Sequence, residues 1–268
     1  MLAEKAVPLL RRTRIGQELP QTDRNAGRSR NGRGLVWLRA RSAIARLGIL
    51  GRSARLRQSA RGKGFIIAGI SFAALDAELI HCVDGASSGA GGIAPLEQGH
   101  RVISAMLRHP DWAAQPDDRK AMILKQGGGL LLHLFKANGS DNALDQAIAI
   151  LTMGANLLDD GDPERPAHLA NLGLATRLAG ERSGDIAVVR RAVAIYRASV
   201  ALSHPDDVDL PKRLSNLGSA LKTEYEMSGD AQSMDASIDA FTAACVRNSS
   251  PDIASNLAMG LRDRHIAT

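Results

Sequence analysis

Asn171-Leu172-Gly173 and Ser183-Gly184-Asp185 return, each 45 residues later, as Asn216-Leu217-Gly218 and Ser228-Gly229-Asp230. Two separate signatures share one spacing, so the repeat is a property of the chain before any fold is assumed. Tyr196 and Phe241 keep the same distance, as do the small residues Ala192 and Ser237, and Ser199 and Ala244. In the other direction Gly129 matches Gly173, and Ser140-Asp141 matches Gly184-Asp185, at a spacing of 44. Asn256-Leu257-Ala258 opens a further unit after only 40 residues.

Each unit divides into two helical segments. In the first, Leu169, Leu172, Thr176 and Ala179, then Leu214, Leu217, Leu221 and Tyr225, follow the three- and four-residue steps of one helix face. Pro116, Pro163, Pro166, Pro211 and Pro251 precede or open such segments, where a first-turn proline costs no hydrogen bond; Asp162 and Ser250 stand ready to accept from the free amides. Gly184 and Gly229 suit the turn after a helix, and the Asp that follows each caps the next. Val189 to Ala201 and Met234 to Val246 form the second segments, with apolar and small residues on one stripe.

These residues resemble the tetratricopeptide repeat family. Its pattern puts Leu-Gly in the first helix, Ala and then an aromatic residue four positions later in the second, and Pro near the end. Leu172-Gly173, Ala192, Tyr196 and Pro205 match it in one unit; Leu217-Gly218, Ser237, Phe241 and Pro251 match it in the next. The units are about ten residues longer than the usual 34, and Leu169 and Leu214 replace the first-position Trp. Long units with Asn-Leu-Gly are similar to the arrays found beside caspase-like CHAT domains and, more distantly, to kinesin light chain repeats.

The resemblance implies an all-α fold over roughly residues 96–264, with antiparallel hairpins stacked into a right-handed superhelix. Gly129, Gly173, Gly218, Ala192, Ser237, Tyr196 and Phe241 would form the repeat packing. Its first helices would line a concave groove that binds a protein or peptide. In the kinesin light chain relatives, asparagines beside this Leu hydrogen-bond the backbone of a bound peptide. Asn171, Asn216 and Asn256 match that position, with Arg177 and Lys222 about a turn and a half beyond. An amide both donates and accepts, so a row of them can grip a main chain whatever its side chains. The other reading has the same asparagines bonding neighbouring helices.

Composition agrees with a helical chain. Aromatics are only 3% of a sequence that is 44% hydrophobic, which favours helices packed through small side chains over a sheet of aromatic and β-branched residues. Cys82 and Cys245 lie far apart without metal-ligand spacing, so a reducing compartment, the cytoplasm, is the expectation. His133, His168 and His204 do not converge, and no HExxH, GxSxG, kinase or dinucleotide fingerprint occurs. The reading is therefore a binding scaffold, not an enzyme, with no cofactor, metal or small-molecule substrate. A second reading makes the chain the regulatory arm of a larger CHAT-type effector whose catalytic domain lies elsewhere.

Charge separates the ends. Residues 1–63 hold 14 Arg and 2 Lys against Glu4, Glu18 and Asp23, a net charge of +13; since the whole chain carries +6, the remainder carries −7. Residues 1–34 mix Arg, Gly, Asn, Gln and Pro without apolar periodicity, the composition of a disordered extension. Leu35 to Leu56 alternate apolar and Arg positions as a basic amphipathic helix would. Residues 24–63 could thus make weak contact with an anionic membrane or nucleic acid. An organelle-targeting reading is opposed by Glu4, Glu18 and the length. Residues 64–95 read as an apolar helix, too short to span a bilayer, followed by the glycine-rich linker Asp84–Gly92. Residues 96–268 form the expected repeat domain.

Overall fold

The computed structural model describes residues 70–88, 92–248 and 250–267. The expected disordered extension, the amphipathic segment Leu35–Leu56 and the anionic contact of residues 24–63 lie outside them. Among the described residues there are nine α-helices, one short 3-10 turn and no strand: α1 (Phe72–Ser88), α2 (Ala94–Met106), the turn Pro110–Trp112, α3 (Asp117–Asn138), α4 (Asp141–Leu157), α5 (Arg165–Ser183), α6 (Ile186–Leu202), α7 (Leu210–Ser228), α8 (Ala231–Arg247) and α9 (Pro251–Ala267). None is long and apolar enough to cross a membrane. The chain divides into two compact units at Asp159 and Asp160.

The hairpin turns show why the period exists. Three helices end at a glycine in the left-handed region, Gly139, Gly184 and Gly229, with φ of 69°, 68° and 71°. Only glycine adopts this conformation without strain, and it lets the chain reverse at once. The next residue in each case caps the following helix: Ser140 accepts from the Ala143 amide at 3.3 Å, Asp185 from Ala187 at 2.9 Å and Asp230 from Gln232 at 3.0 Å. All three turns stand 45 residues apart. The first unit is therefore in the same register as the others, and the spacing of 44 read from its sequence is corrected.

That correction moves one residue. Gly129 was expected to pack like Gly173, but a side chain there would meet nothing within 4 Å. Its neighbour Gly128 lies against Leu151 of α4. A Cβ added at Gly173 would come within 3.0 Å of the Tyr196 ring and one at Gly218 within 2.7 Å of Phe241, so one contact recurs in three hairpins: a missing side chain on the first helix admits a large apolar one from the second. Leu151, Tyr196 and Phe241 are all almost fully buried as a result.

In the unit ending at Asp159, α1 packs on α2 and α3, α2 on α3, and α3 on α4. The apolar stretch of the sequence thus enters the core through Phe72, Leu75, Leu79 and Cys82 of α1. Residues 84–88, expected in the linker, are its last turn. The expected boundary at residue 96 falls inside α2. Arg119 of α3 reaches Asp76 of α1 at 2.6 Å, and His100 of α2 meets Gln146 of α4 at 2.8 Å.

In the unit starting at Asp160, each second helix is wedged between first helices: α6 packs on α5 and α7, and α8 on α7 and α9. Val193, Tyr196, Leu217, Ala220, Leu221 and Ala240 form one core cluster. Leu210, Leu214, Ala243, Ala244 and Ile253 form the next, which seats α9. Hydroxyls add links that differ between hairpins. Ser199 donates to the Pro166 carbonyl at 2.7 Å, while Ala244 holds the equivalent place one unit later. Conversely, Ser237 donates to the Gly218 carbonyl at 2.8 Å where Ala192 stands in the unit before. Buried hydroxyls must bond, and each does so where its own hairpin offers a carbonyl.

The loop before α7 is pinned from beneath. Arg213, only 5% exposed, bonds Ser203 at 3.0 Å and the Asp207 carboxylate, and its other terminal nitrogen lies 3.8 Å from Asp209. The hydrogen bond from Arg213, aided by the Asp209 amide, holds the Asp207 carboxyl below the usual carboxylate range.

Candidate functional site

The first helices α5, α7 and α9 lie side by side and turn one face toward the second helices. Gly173 and Gly218 mark that inner face by their contacts with Tyr196 and Phe241. Helical spacing puts Asn171, Leu174 and Leu178 of α5 away from that inner face, while Arg177 follows Gly173 by one turn and lies at its edge with Glu181 beyond. On α7 the corresponding residues are Asn216, Ser219, Lys222 and Glu226, and on α9 they are Asn256, Met259 and Asp263.

Asn171 and Asn216 are half-buried at equal positions on neighbouring helices, and neither amide has a hydrogen-bond partner among the described residues. Asn256 is different. Its side-chain nitrogen donates to Ser215 Oγ at 3.1 Å, tying α9 to α7. The equivalent partner for Asn216 would be residue 170, and Ala170 has no hydroxyl to offer. The two sequence readings of the asparagines thus divide: Asn256 joins helices, while Asn171 and Asn216 keep their amide groups. Gln126 on α3 stands 45 residues before Asn171 and is half-buried. The misregister of the first unit hid it, and counting back from Gly139 as the turn glycine would have found it.

The two basic side chains expected to face a ligand are already engaged. Arg177 pairs with Glu181 one turn on, and Lys222 with Glu226 at the same spacing. Arg177 also bonds the hydroxyl of Tyr196, which reaches it from α6. Burial pushes the Tyr196 phenol well above its ordinary range, an effect that Arg177 only partly opposes. Phe241 has no hydroxyl for Lys222, which turns to Asp263 of α9 at 3.0 Å. Burial alone would lower the Lys222 ammonium; its bonds to Glu226 and Asp263 outweigh that and raise it. The bond from Lys222 in turn holds the Asp263 carboxyl below the usual range, with Arg262 assisting from 3.1 Å. Thr223 closes the other boundary, donating to Glu181 of α5 at 3.0 Å.

The face therefore combines paired charges with amides that bond no other described group, and the Nε of Arg177 is buried without a partner. Among the described residues no cluster of His, Cys, Asp or Glu could hold a metal ion. No family model, curated protein or solved structure matches the chain.

Proposed function

We propose that this chain is a tetratricopeptide-type interaction scaffold, and not an enzyme, whose hairpins wind into a right-handed superhelix and hold a peptide or protein partner along the outward face of α5, α7 and α9. The observation that carries the reading is the pair of amides at Asn171 and Asn216. Both are half-buried, and they stand at equivalent positions on adjacent helices with donors and acceptors not taken up by other described groups. Such a pair matches the alternating N–H and C=O of an extended main chain.

The test is a double substitution, Asn171→Ala with Asn216→Ala, in the full chain. Peptides selected from a randomised library on the wild-type chain should bind the variant more than about tenfold more weakly, since each amide lost removes a hydrogen bond of about 0.5–1.5 kcal/mol. Thermal stability should hardly change. Undiminished affinity with a clearly lowered melting temperature would make the asparagines packing residues and end the proposal.

A further inference from the structure

The inner face of α9 is open among the described residues, although the same face is closed on its two predecessors. Leu172 and Thr176 on α5, and Leu217 and Leu221 on α7, are buried beside the Gly173–Tyr196 and Gly218–Phe241 contacts. α9 is seated in the same way as α7. Its Arg264 meets Asp235 of α8 at 3.0 Å, as Glu224 of α7 meets Arg190 of α6 at 3.1 Å, one link repeated with its charges exchanged. Yet Leu257 is only half-buried and Ala258 is exposed, and Leu261 is 48% exposed where Thr176 and Leu221 are each 2%. With the exposed Ala254 these residues follow three- and four-residue steps, so they adjoin as one apolar stripe.

The hairpins themselves specify what closes such a stripe. Each second helix brings a small residue, an apolar one directly after it and a large one three further on: Ala147, Ile148 and Leu151, then Ala192, Val193 and Tyr196, then Ser237, Ile238 and Phe241. Outside the described residues the same order occurs as Ala43, Ile44 and Leu47, within the amphipathic segment Leu35–Leu56. That segment has 22 residues (35 to 56), enough to match the 17 of each second helix. Its large residue is Leu, as in α4. Ala258 carries a methyl group where glycine leaves room for the rings of Tyr196 and Phe241, so an aliphatic side chain fits there better than an aromatic one. Charge agrees with this assignment. The segment carries Arg39, Arg41 and Arg46, and no acidic residue occurs from Arg24 to Leu75. On α8, Asp239 is exposed one turn beyond Asp235, while Arg262 and Arg264 of α9 already stand against Asp263 and Asp235.

We infer that the segment Leu35–Leu56 docks as a helix on the open face of α9, with Ile44 and Leu47 over Leu257, Ala258 and Leu261, in the place that α6 and α8 take on the helices before. This surface is distinct from the face bearing Asn171 and Asn216, so the inference holds whether or not that face grips a peptide. Docking covers the apolar stripe that an amphipathic helix would insert into a membrane surface. The repeat domain therefore competes with anionic lipid for the segment.

The test uses the full chain and its two tryptophans, Trp37 in the segment and the buried Trp112. Acrylamide quenching is measured on each protein, and the signal of a Trp37→Phe chain is subtracted to leave that of Trp37. Leu261→Glu places a charge in the proposed contact at a position exposed enough to spare the fold, and should raise the Trp37 quenching constant by more than about twofold. Ile44→Glu with Leu47→Glu should do the same, and all three substitutions together should add nothing, because they break one contact. Equal Trp37 quenching in the wild type and Leu261→Glu would overturn the inference. Sedimentation of the same proteins separates the possible covers. Monomers throughout place the segment on its own chain, and dimers that both sets of substitutions dissociate place it on a second copy; either supports the docking. A dimer dissociated by Leu261→Glu but not by Ile44→Glu with Leu47→Glu would mean that α9 of a second copy closes the face, and would overturn it.

Discussion

One methyl group should act in opposite directions at two adjacent glycines. A side chain at Gly128 runs into Leu151, whereas one at Gly129 meets open space. Gly128→Ala should therefore cost about 1–3 kcal/mol through overpacking. Gly129→Ala should be neutral or stabilising by up to about 1 kcal/mol, because glycine in a helix loses more backbone freedom on folding than alanine does. Urea unfolding of the two variants checks this, and a Gly129→Ala chain less stable than Gly128→Ala would mean the register is wrong. The sequence could not separate the two, since Gly127-Gly128-Gly129 offers three candidates and their partner lies on another helix. Asn171 and Asn216 were legible for the opposite reason: each sits beside a Leu-Gly whose spacing fixed its place on the helix. That Arg177 and Lys222 are engaged was not, because their fate depends on whether the second helix brings Tyr196 or Phe241.

At the scale of elements, the second helix of a hairpin reaches Arg177 of the first through Tyr196. Its phenol is raised above the ordinary value of about 10 chiefly by burial. A group whose folded pKa exceeds its unfolded one contributes stability that is intact below the unfolded value and is lost as pH climbs toward the folded one. Tyr196→Phe should thus be less stable at pH 7 by about 0.5–1.5 kcal/mol for the lost bond to Arg177. That deficit should shrink as pH rises above about 10, where the unfolded wild-type chain ionises and the variant cannot. Unfolding both proteins from neutral to alkaline pH tests the sign, and a deficit constant across that range would refute it. Helix ends were legible element by element, because Gly and Asp at a turn act through their own backbone. Lateral links such as Asn256–Ser215 and Thr223–Glu181 were not, since the period of 40 at the last unit left the facing residues undefined.

For the whole molecule, charge is unevenly spread: residues 1–63 carry +13 and the rest −7. A peptide of residues 24–63 should bind vesicles containing anionic lipid and weaken steeply with salt, while the full chain with its Arg residues in 24–63 replaced by Gln should not bind. Retention of vesicles by that variant would place the attraction elsewhere. The unvarying spacing of Gly139, Gly184 and Gly229 also says where this chain can change length. Each turn hands the chain from one helix to the next through a single left-handed glycine and a cap. An inserted residue on either side of it would swing every later side chain of that helix through about 100°, taking Leu151, Tyr196 or Phe241 away from its glycine. The segment after α6, by contrast, carries Val208 out into solvent, 89% exposed, while Arg213 anchors its base. Additions at that tip leave every helix in phase, so insertions and fused tags belong there and deletions within the hairpins do not.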